Sequence, residues 1–246
     1  MRLGVNIDHV ATLRQQRREG MPDPLEAARV CERAGASSIV CHLREDRRHV
    51  QDDDVRHLKR ALRVPLNLEM SIAEEIVQAA LAIQPAQVTL VPERRQELTT
   101  EGGLDVARLL PQLRPLITRF HEAGINVSLF VDPDPKQLDA SREAGARIVE
   151  LHTGRYAQAA SGEPREREVS ALRQAAEHAV SLRLAVAAGH GLDYNNIHPV
   201  AAIRQIEEVN IGFSIISRAL FVGLEQAVRQ MQSHLSTPRS HAAAKA

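Results

Sequence analysis

The chain contains no tryptophan, and its few phenylalanines and tyrosines make up only 2% of the residues. A core built without aromatic bulk must come from Val, Ile, Leu and Ala, and an apolar content of 43% is enough for a full one. The same scarcity removes the rings on which single-stranded nucleic acid stacks. An excess of one charge is also missing. The 31 basic side chains balance 31 acidic ones, so no global field draws in a polyanion or an anionic membrane. No nucleic-acid or membrane partner is expected, and any anion site must be local. Cysteine is limited to Cys31 and Cys41, both in apolar contexts and without zinc-site or disulfide-framework spacing, which points to a reducing cytoplasm. No apolar stretch approaches the roughly 18 residues needed to cross a bilayer. Nothing before the first strand-like run resembles a secretory signal.

What the chain does have is alternation. Short β-like runs cover Leu3–Ile7, Ser38–His42, Pro65–Glu69, Gln87–Val91, Asn126–Val131, Ile148–His152, Arg183–Ala188 and Val209–Gly212. Between them, apolar residues recur at three- and four-residue spacing, the signature of amphipathic helices. Helices are expected over Pro24–Ala34 behind an Asp23 cap, and over Ser71–Ile83, where Ser71 and Glu74 form a capping-box pattern. Others are expected over Leu104–Ala123, Lys136–Ala144, Arg165–Ser181, Asn196–Ile206 and Ile215–Gln232. The pairs Ala34-Gly35, Ala123-Gly124 and Ala144-Gly145 read as left-handed helix stops that feed the next strand. Eight βα units without an internal linker predict an α/β protein with one (β/α)₈ TIM barrel over residues 1–235, plus extra helices. Residues 236–246 lack periodicity and read as a frayed tail. An open doubly wound sheet is disfavoured, because no Gly-x-Gly-x-x-Gly follows the first strand.

The carboxyl ends of the expected strands carry the chemistry. The first gives Asn6, Asp8 and His9; the second His42 and Arg44, within the dense run His42-Leu43-Arg44-Glu45-Asp46-Arg47-Arg48-His49. The third gives Glu69, and the fourth leads to Pro92-Glu93-Arg94. The fifth gives Asp132, the sixth Glu150 and His152, the seventh His190 between two glycines, and the eighth Gly212. In a barrel these ends meet on one face, where active sites are built. Glu69 directly follows apolar neighbours, and desolvation there would raise its pKa toward general-base work near neutrality. Glu150 is equally compatible with a buried structural role and a catalytic one. Arg14, Arg17 and Arg18 cluster after the first strand, and Arg44, Arg47, Arg48 and His49 after the second. Together with Gly191 and Gly212-Phe213 they suggest two anion-binding regions, as two phosphorylated substrates would require. Thr99-Thr100-Glu101-Gly102-Gly103 is the candidate lid. No metal is expected, since neither His-Glu-x-x-His nor Cys-x-x-Cys occurs.

These motifs closely resemble the pyridoxine 5′-phosphate synthase family. The likeness is carried by Gly4-Val5-Asn6-Ile7-Asp8-His9, the run from Val40 to His49, Asn67-Leu68-Glu69-Met70, and Val91-Pro92-Glu93-Arg94-Arg95-Gln96-Glu97. It continues through the run from Thr99 to Val106, Glu150-Leu151-His152-Thr153-Gly154 and Ala188-Gly189-His190-Gly191-Leu192. The resemblance implies a ring-closing condensation of 1-deoxy-D-xylulose 5-phosphate with 3-amino-2-oxopropyl phosphate. The products would be pyridoxine 5′-phosphate, phosphate and water, with no metal or organic cofactor, in a homo-oligomer that is commonly an octamer. By motif, His42 and Glu69 match the proton acceptors and His190 the proton donor. Asp8, His9, Arg44, His49 and Thr99 match the deoxyxylulose phosphate site. Asn6, Arg17, Gly191, Gly212 and Phe213 match the aminoketone phosphate site. The chain departs from the family at Phe213, where His is frequent, at Ser217, where Gly is frequent, and around Arg17-Arg18-Glu19-Gly20-Met21.

Two other classes fit the residues alone. A phosphate-binding epimerase or aldolase barrel is one, but an imine-forming aldolase needs a Lys at a strand end, and none stands there. A non-catalytic barrel that binds phosphorylated metabolites is the other, and it leaves His42, Glu69 and His190 without a purpose.

Overall fold

The computed structural model describes residues 1–17, 19–93 and 102–236. Eight parallel strands close into a barrel in sequence order: β1 (Arg2–Asn6), β2 (Ser38–His42), β3 (Leu66–Met70), β4 (Gln87–Leu90), β5 (Asn126–Val131), β6 (Ile148–His152), β7 (Ala185–Gly189) and β8 (Ile206–Ile211). β8 pairs with β1, and Leu3 stands opposite Val209. The helices are α1 (Asp8–Arg17), α2 (Pro24–Arg33), α3 (Asp52–Ala61), α4 (Glu74–Ile83), α5 (Val106–Glu122), α6 (Pro135–Ala144), α7 (Gly154–Gln158), α8 (Glu163–Ser181), α9 (Ile197–Ala201), α10 (Phe213–Val222) and α11 (Leu224–Ser236).

Local chemistry accounts for most boundaries. The Asp23 carboxylate accepts the Leu25 N–H at 2.8 Å, and Pro24 opens α2. Gly35, Gly124 and Gly145 all have positive φ, so the Ala-Gly pairs are helix stops. Four expectations need correction. The helix expected from Ser71 begins at Glu74; Ser71 Oγ instead accepts the Ala73 N–H in a local turn, so no capping box forms. The helix expected over Asn196–Ile206 stops at Ala201, because Ile206 already starts β8. Glu207 and Glu208 disguised that strand: one pairs with Arg2, and the other accepts from Ser38 Oγ at 3.2 Å. The long final helix is broken at Gly223, where φ is +83°. Arg183, at φ +62°, belongs to the turn before β7. Both α1 and α3 went unread because most of their residues are polar.

Strand side chains alternate between two environments. Leu3 and Val5, Ile39 and Cys41, Leu66 and Leu68, Val88 and Leu90, Leu129 and Val131, Val149 and Leu151 belong to the aliphatic core shared with the helices. The alternate residues fill the lumen, and many are polar: Ser38, Asn67, Thr89, Ser128, Glu150 and Asn210 are all buried. Thr89 Oγ1 donates to Asn67 Oδ1 at 2.8 Å, and Asn210 Nδ2 donates to Glu150 Oε2 at 2.6 Å. Gly4 makes this packing possible, since a Cβ there would stand 2.1 Å from Asn210 Oδ1 and 2.8 Å from Ser38 Oγ. Where the alternation reaches the carboxyl rim, it delivers Asn6, His42, Glu69 and His152 to the mouth.

Candidate active site

Three strand ends converge on one carboxylate network. In the register, His42 at the end of β2 stands opposite Glu69 on β3. Asn6, ending β1, donates from Nδ2 to Asp8 Oδ2 at 2.9 Å and approaches Glu69 Oε2 at 3.4 Å. Asp8, in the first turn of α1, accepts the His42 backbone N–H at 2.8 Å through its other oxygen. The ligand-type atoms of Asp8, His42 and Glu69 all lie within 4.8 Å of one another, a grouping that could also hold a cation. Spacing along one element could not reveal that set, because its members come from separate elements.

Electrostatics sets the state of these groups. Burial, with Glu150 and then Asp8 nearby, holds the Glu69 carboxyl well above its ordinary range. Burial pushes Glu150 up to about 7, against the favourable Asn210 hydrogen bond. Two buried carboxyls of this kind resist simultaneous ionisation.

The ring of His42 faces Glu93, whose side chain is 3% exposed; His42 Nε2 and Glu93 Oε2 are 3.4 Å apart, without hydrogen-bond alignment. Glu93 Oε1 accepts the Glu45 N–H at 2.9 Å and lies 3.6 Å from Arg44 Nε. Burial raises Glu93, but His42, the Glu45 N–H and Arg44 outweigh it and keep the carboxylate below its usual range. Glu93 thus faces His42 and Arg44 together. The sequence showed Glu93 at a strand end but gave it no task; its signal was the position just beyond β4.

Of the cations after β2, Arg47 pairs with Asp52 and Glu75, and Arg48 pairs with Asp46. The expected cluster of arginines is thus largely neutralised within the protein. Arg44 is buried with Asp46 and Glu93 beside it. His49 lies 6.2 Å from His42 between ring centroids. Its Nδ1 accepts the Val50 N–H at 2.8 Å, which leaves the proton of the neutral ring on Nε2. Burial lowers the pKa of His49, so that neutral form prevails at pH 7. Burial likewise lowers His9, against the pull of Asp8.

The other side of the mouth is glycine-rich. Gly212 caps α10 and sits against Asn6, where a Cβ would be 2.9 Å from Asn6 Cβ. Phe213 is 68% exposed and meets His9 edge-on at 5.2 Å. Gly191, at φ +76°, gives its carbonyl to Asn196 Nδ2. His190 itself has φ +82°, and burial followed by His152 lowers its pKa. The arginines after β1 differ in their surroundings. Arg14 makes a bidentate pair with Asp54 at 2.6 and 2.7 Å, whereas Arg17 is exposed on the last turn of α1 and stays outside the network among the described residues. Arg18, Thr99 and most of the expected lid lie outside the described residues, as do residues 237–246 of the expected tail. Gly103 is described, and its N–H donates to Asp132 Oδ1 at 3.2 Å.

Comparisons with known proteins identify the family and the fold. The sequence profile of the family described as "Pyridoxal phosphate biosynthesis protein PdxJ" matches residues 3–237. A pyridoxine 5′-phosphate synthase from Synechococcus sp. (strain JA-2-3B'a(2-13)) is 58% identical over 230 residues, which is 94% of this chain and 96% of the relative. Another of that name from Coxiella burnetii (strain RSA 493 / Nine Mile phase I) is 54% identical, covering 95% of this chain and 97% of its own. Among solved structures, the tryptophan synthase A-subunit from Pyrococcus furiosus superposes with a TM-score of 0.63 at 11% identity, covering 94% of this chain and 97% of its own; that likeness concerns the fold alone.

Proposed function

Because the chain belongs to the family of the pyridoxal phosphate biosynthesis protein PdxJ, we propose how its residues divide the work of a pyridoxine 5′-phosphate synthase. In the reaction that the resemblance implies, the enzyme condenses 1-deoxy-D-xylulose 5-phosphate with 3-amino-2-oxopropyl phosphate, closes a pyridine ring and releases phosphate and water. The amine must attack a ketone, carbons must lose and regain protons, and two leaving groups must depart. Acid and base groups are needed on more than one side of the bound pair.

The observation that carries the assignment is the joining of Asn6, Asp8, His42 and Glu69 at one rim. Glu69 and His42 accept protons. Burial raises the Glu69 pKa and with it the carboxylate's proton affinity, which suits a group that must take a proton and return it. His190 donates. Its lowered pKa makes the free enzyme's ring neutral at pH 7, and the negative charge of an arriving phosphate favours its protonation. Glu150 shares the buried charge of Glu69 and limits how fully that group ionises.

Asp8, His9, Arg44 and His49 hold the deoxyxylulose phosphate, with Arg44 and the Nε2–H of His49 directed to its anionic end. Asn6, Arg17, Gly191, Gly212 and Phe213 hold the aminoketone phosphate. The unpaired N–H groups opening α10 supply its anion site, and the contact at Phe213 is through backbone, so a side chain other than His is tolerated. Fixing two reactants together removes much of the entropic barrier.

Residues 1–235 act as one catalytic domain in a reducing cytoplasm. Cys31 and Cys41 are both free and buried, and none of the described helices is long and apolar enough to cross a membrane. The subunits assemble as a homo-oligomer, an octamer by resemblance. Met21, Leu220 and Phe221 are 76%, 72% and 84% exposed, an apolar load that a partner subunit would cover. Purified protein given both substrates should form the pyridine product, followed by absorbance, and neither substrate alone should yield it. No product from the pair would overturn the assignment.

A further inference from the structure

The stretch His152-Thr153-Gly154 has no task in the reaction as assigned, yet all three residues act on His190. The His152 ring meets the His190 ring edge-on, with centroids 5.0 Å apart and planes at 64°. Thr153 Oγ1 lies 2.6 Å from the His190 carbonyl and 2.7 Å from that of Gly189, and its N–H donates to the Gly189 carbonyl at 2.9 Å. Gly154 leaves space for both rings: a Cβ there would lie 2.4 Å from His152 Nε2 and 3.3 Å from His190 Cδ2. His190 needs such support. At φ +82° a side chain with a Cβ is strained, and strain of this kind persists only where the surroundings over-determine it.

His152 is itself held from behind. Its Nδ1 lies 2.9 Å from Asp132 Oδ1 at the end of β5, and Phe130 packs on its ring at 5.1 Å. A carboxylate at Nδ1 fixes the ring proton there and leaves Nε2 as the bare nitrogen. That Nε2 is buried without a hydrogen-bond partner. The His152 hydrogen bond, with the Gly103 N–H and Arg155 of α7 assisting against burial, keeps Asp132 below its usual range and so ionised. The titratable Glu150, two residues before His152 on β6, reaches toward the same strand: its Oε1 stands where a Cβ on Gly189 would fall.

We propose that Asp132 and His152 are positioning residues for His190, with Asp132 fixing the His152 ring, which in turn holds the proton donor at the angle the reaction needs. The inference rests on the assignment of His190 as that donor. His152 also disfavours the charged form of His190, so the pair keeps the donor acidic.

Two variants and the wild type test this. Asp132→Asn preserves shape but lets a carboxamide N–H face Nδ1. His152→Phe preserves the ring stack but removes the ionisable group. Both should lower kcat about 10- to 100-fold, the order expected for a small misplacement of a catalytic group, with KM for both substrates within about twofold of wild type. In His152→Phe, the alkaline limb of kcat/KM and the NMR titration of His190 should both move to higher pH. In the wild type, which needs no variant to fold, the His152 Nδ1–H should give a downfield, hydrogen-bonded NMR signal that Asp132→Asn shifts upfield. Wild-type kcat in both variants, an unmoved His190 titration, or no hydrogen-bonded His152 Nδ1–H signal in the wild type would each overturn the proposal. Full activity in His190→Ala would instead remove the assignment beneath it.

Discussion

At the scale of single residues, the account turns on carboxyls whose burial raises their affinity for a proton. Glu69→Gln keeps the shape but cannot accept a proton, and His190→Ala removes the donor. Each should reduce the rate of product formation about 10²- to 10⁴-fold, read by absorbance under saturating substrates; near-normal rates in both would mean the groups are misassigned. Glu150 gives a test in stability. Its folded pKa, about 7, lies above the unfolded carboxylate value. The folded state therefore binds the extra proton, and the stability that proton confers is full below the unfolded pKa and is lost as pH rises through about 7. Glu150→Gln never ionises, so between pH 4 and pH 8 it should gain on the wild type by on the order of 3 kcal/mol in urea unfolding. Equal pH dependence in the two proteins would show that Glu150 is not held as described. Some of this was legible in the chain: His42, Glu69 and His190 stand where strands end. The tasks of Glu93, Asp132 and His152 were not. Each acts through a neighbour far away in sequence, and only the strand orders β2–β3–β4 and β5–β6–β7 around the barrel bring those neighbours together.

At the scale of elements, the lumen depends on the absence of a side chain at Gly4. Gly4→Ala would push a methyl into Asn210, which donates to Glu150, and into Ser38. A loss of roughly 1–3 kcal/mol is expected for overpacking a filled interior, measured by denaturant unfolding; unchanged stability would indicate slack in the lumen. Aliphatic strands such as Ser38–His42, Asn126–Val131 and Ile148–His152 were readable to the residue, because their apolar side chains face helices. β8 was half-hidden, since its first residues carry Glu207 and Glu208, one ion-paired at the rim and the other turned inward. α1 and α3 were hidden for the same reason, as polar helices whose buried residues are few: Asp8, Val10 and Ala11 in the first, Val55 and Leu58 in the second.

At the scale of the whole molecule, the eightfold βα alternation and the motifs at the strand ends carried both the fold and the family. Assembly belongs to this scale too. Phe221→Glu places a charge in the most exposed apolar ring and should reduce the mass found by light scattering, while the isolated subunit stays folded by circular dichroism. An unchanged mass would place the interface elsewhere. The central claim is that one rim of a closed barrel gathers the two reactants between His42 and Glu69 on one side and His190 on the other. A crystal structure with analogues of both substrates bound tests it most directly. The account predicts one phosphate near Arg44 and His49, the other at the start of α10, and the reacting carbons between them within hydrogen-bond reach of the three side chains. Ligands seated at the opposite rim, or reacting carbons beyond the reach of Glu69 and His190, would contradict it.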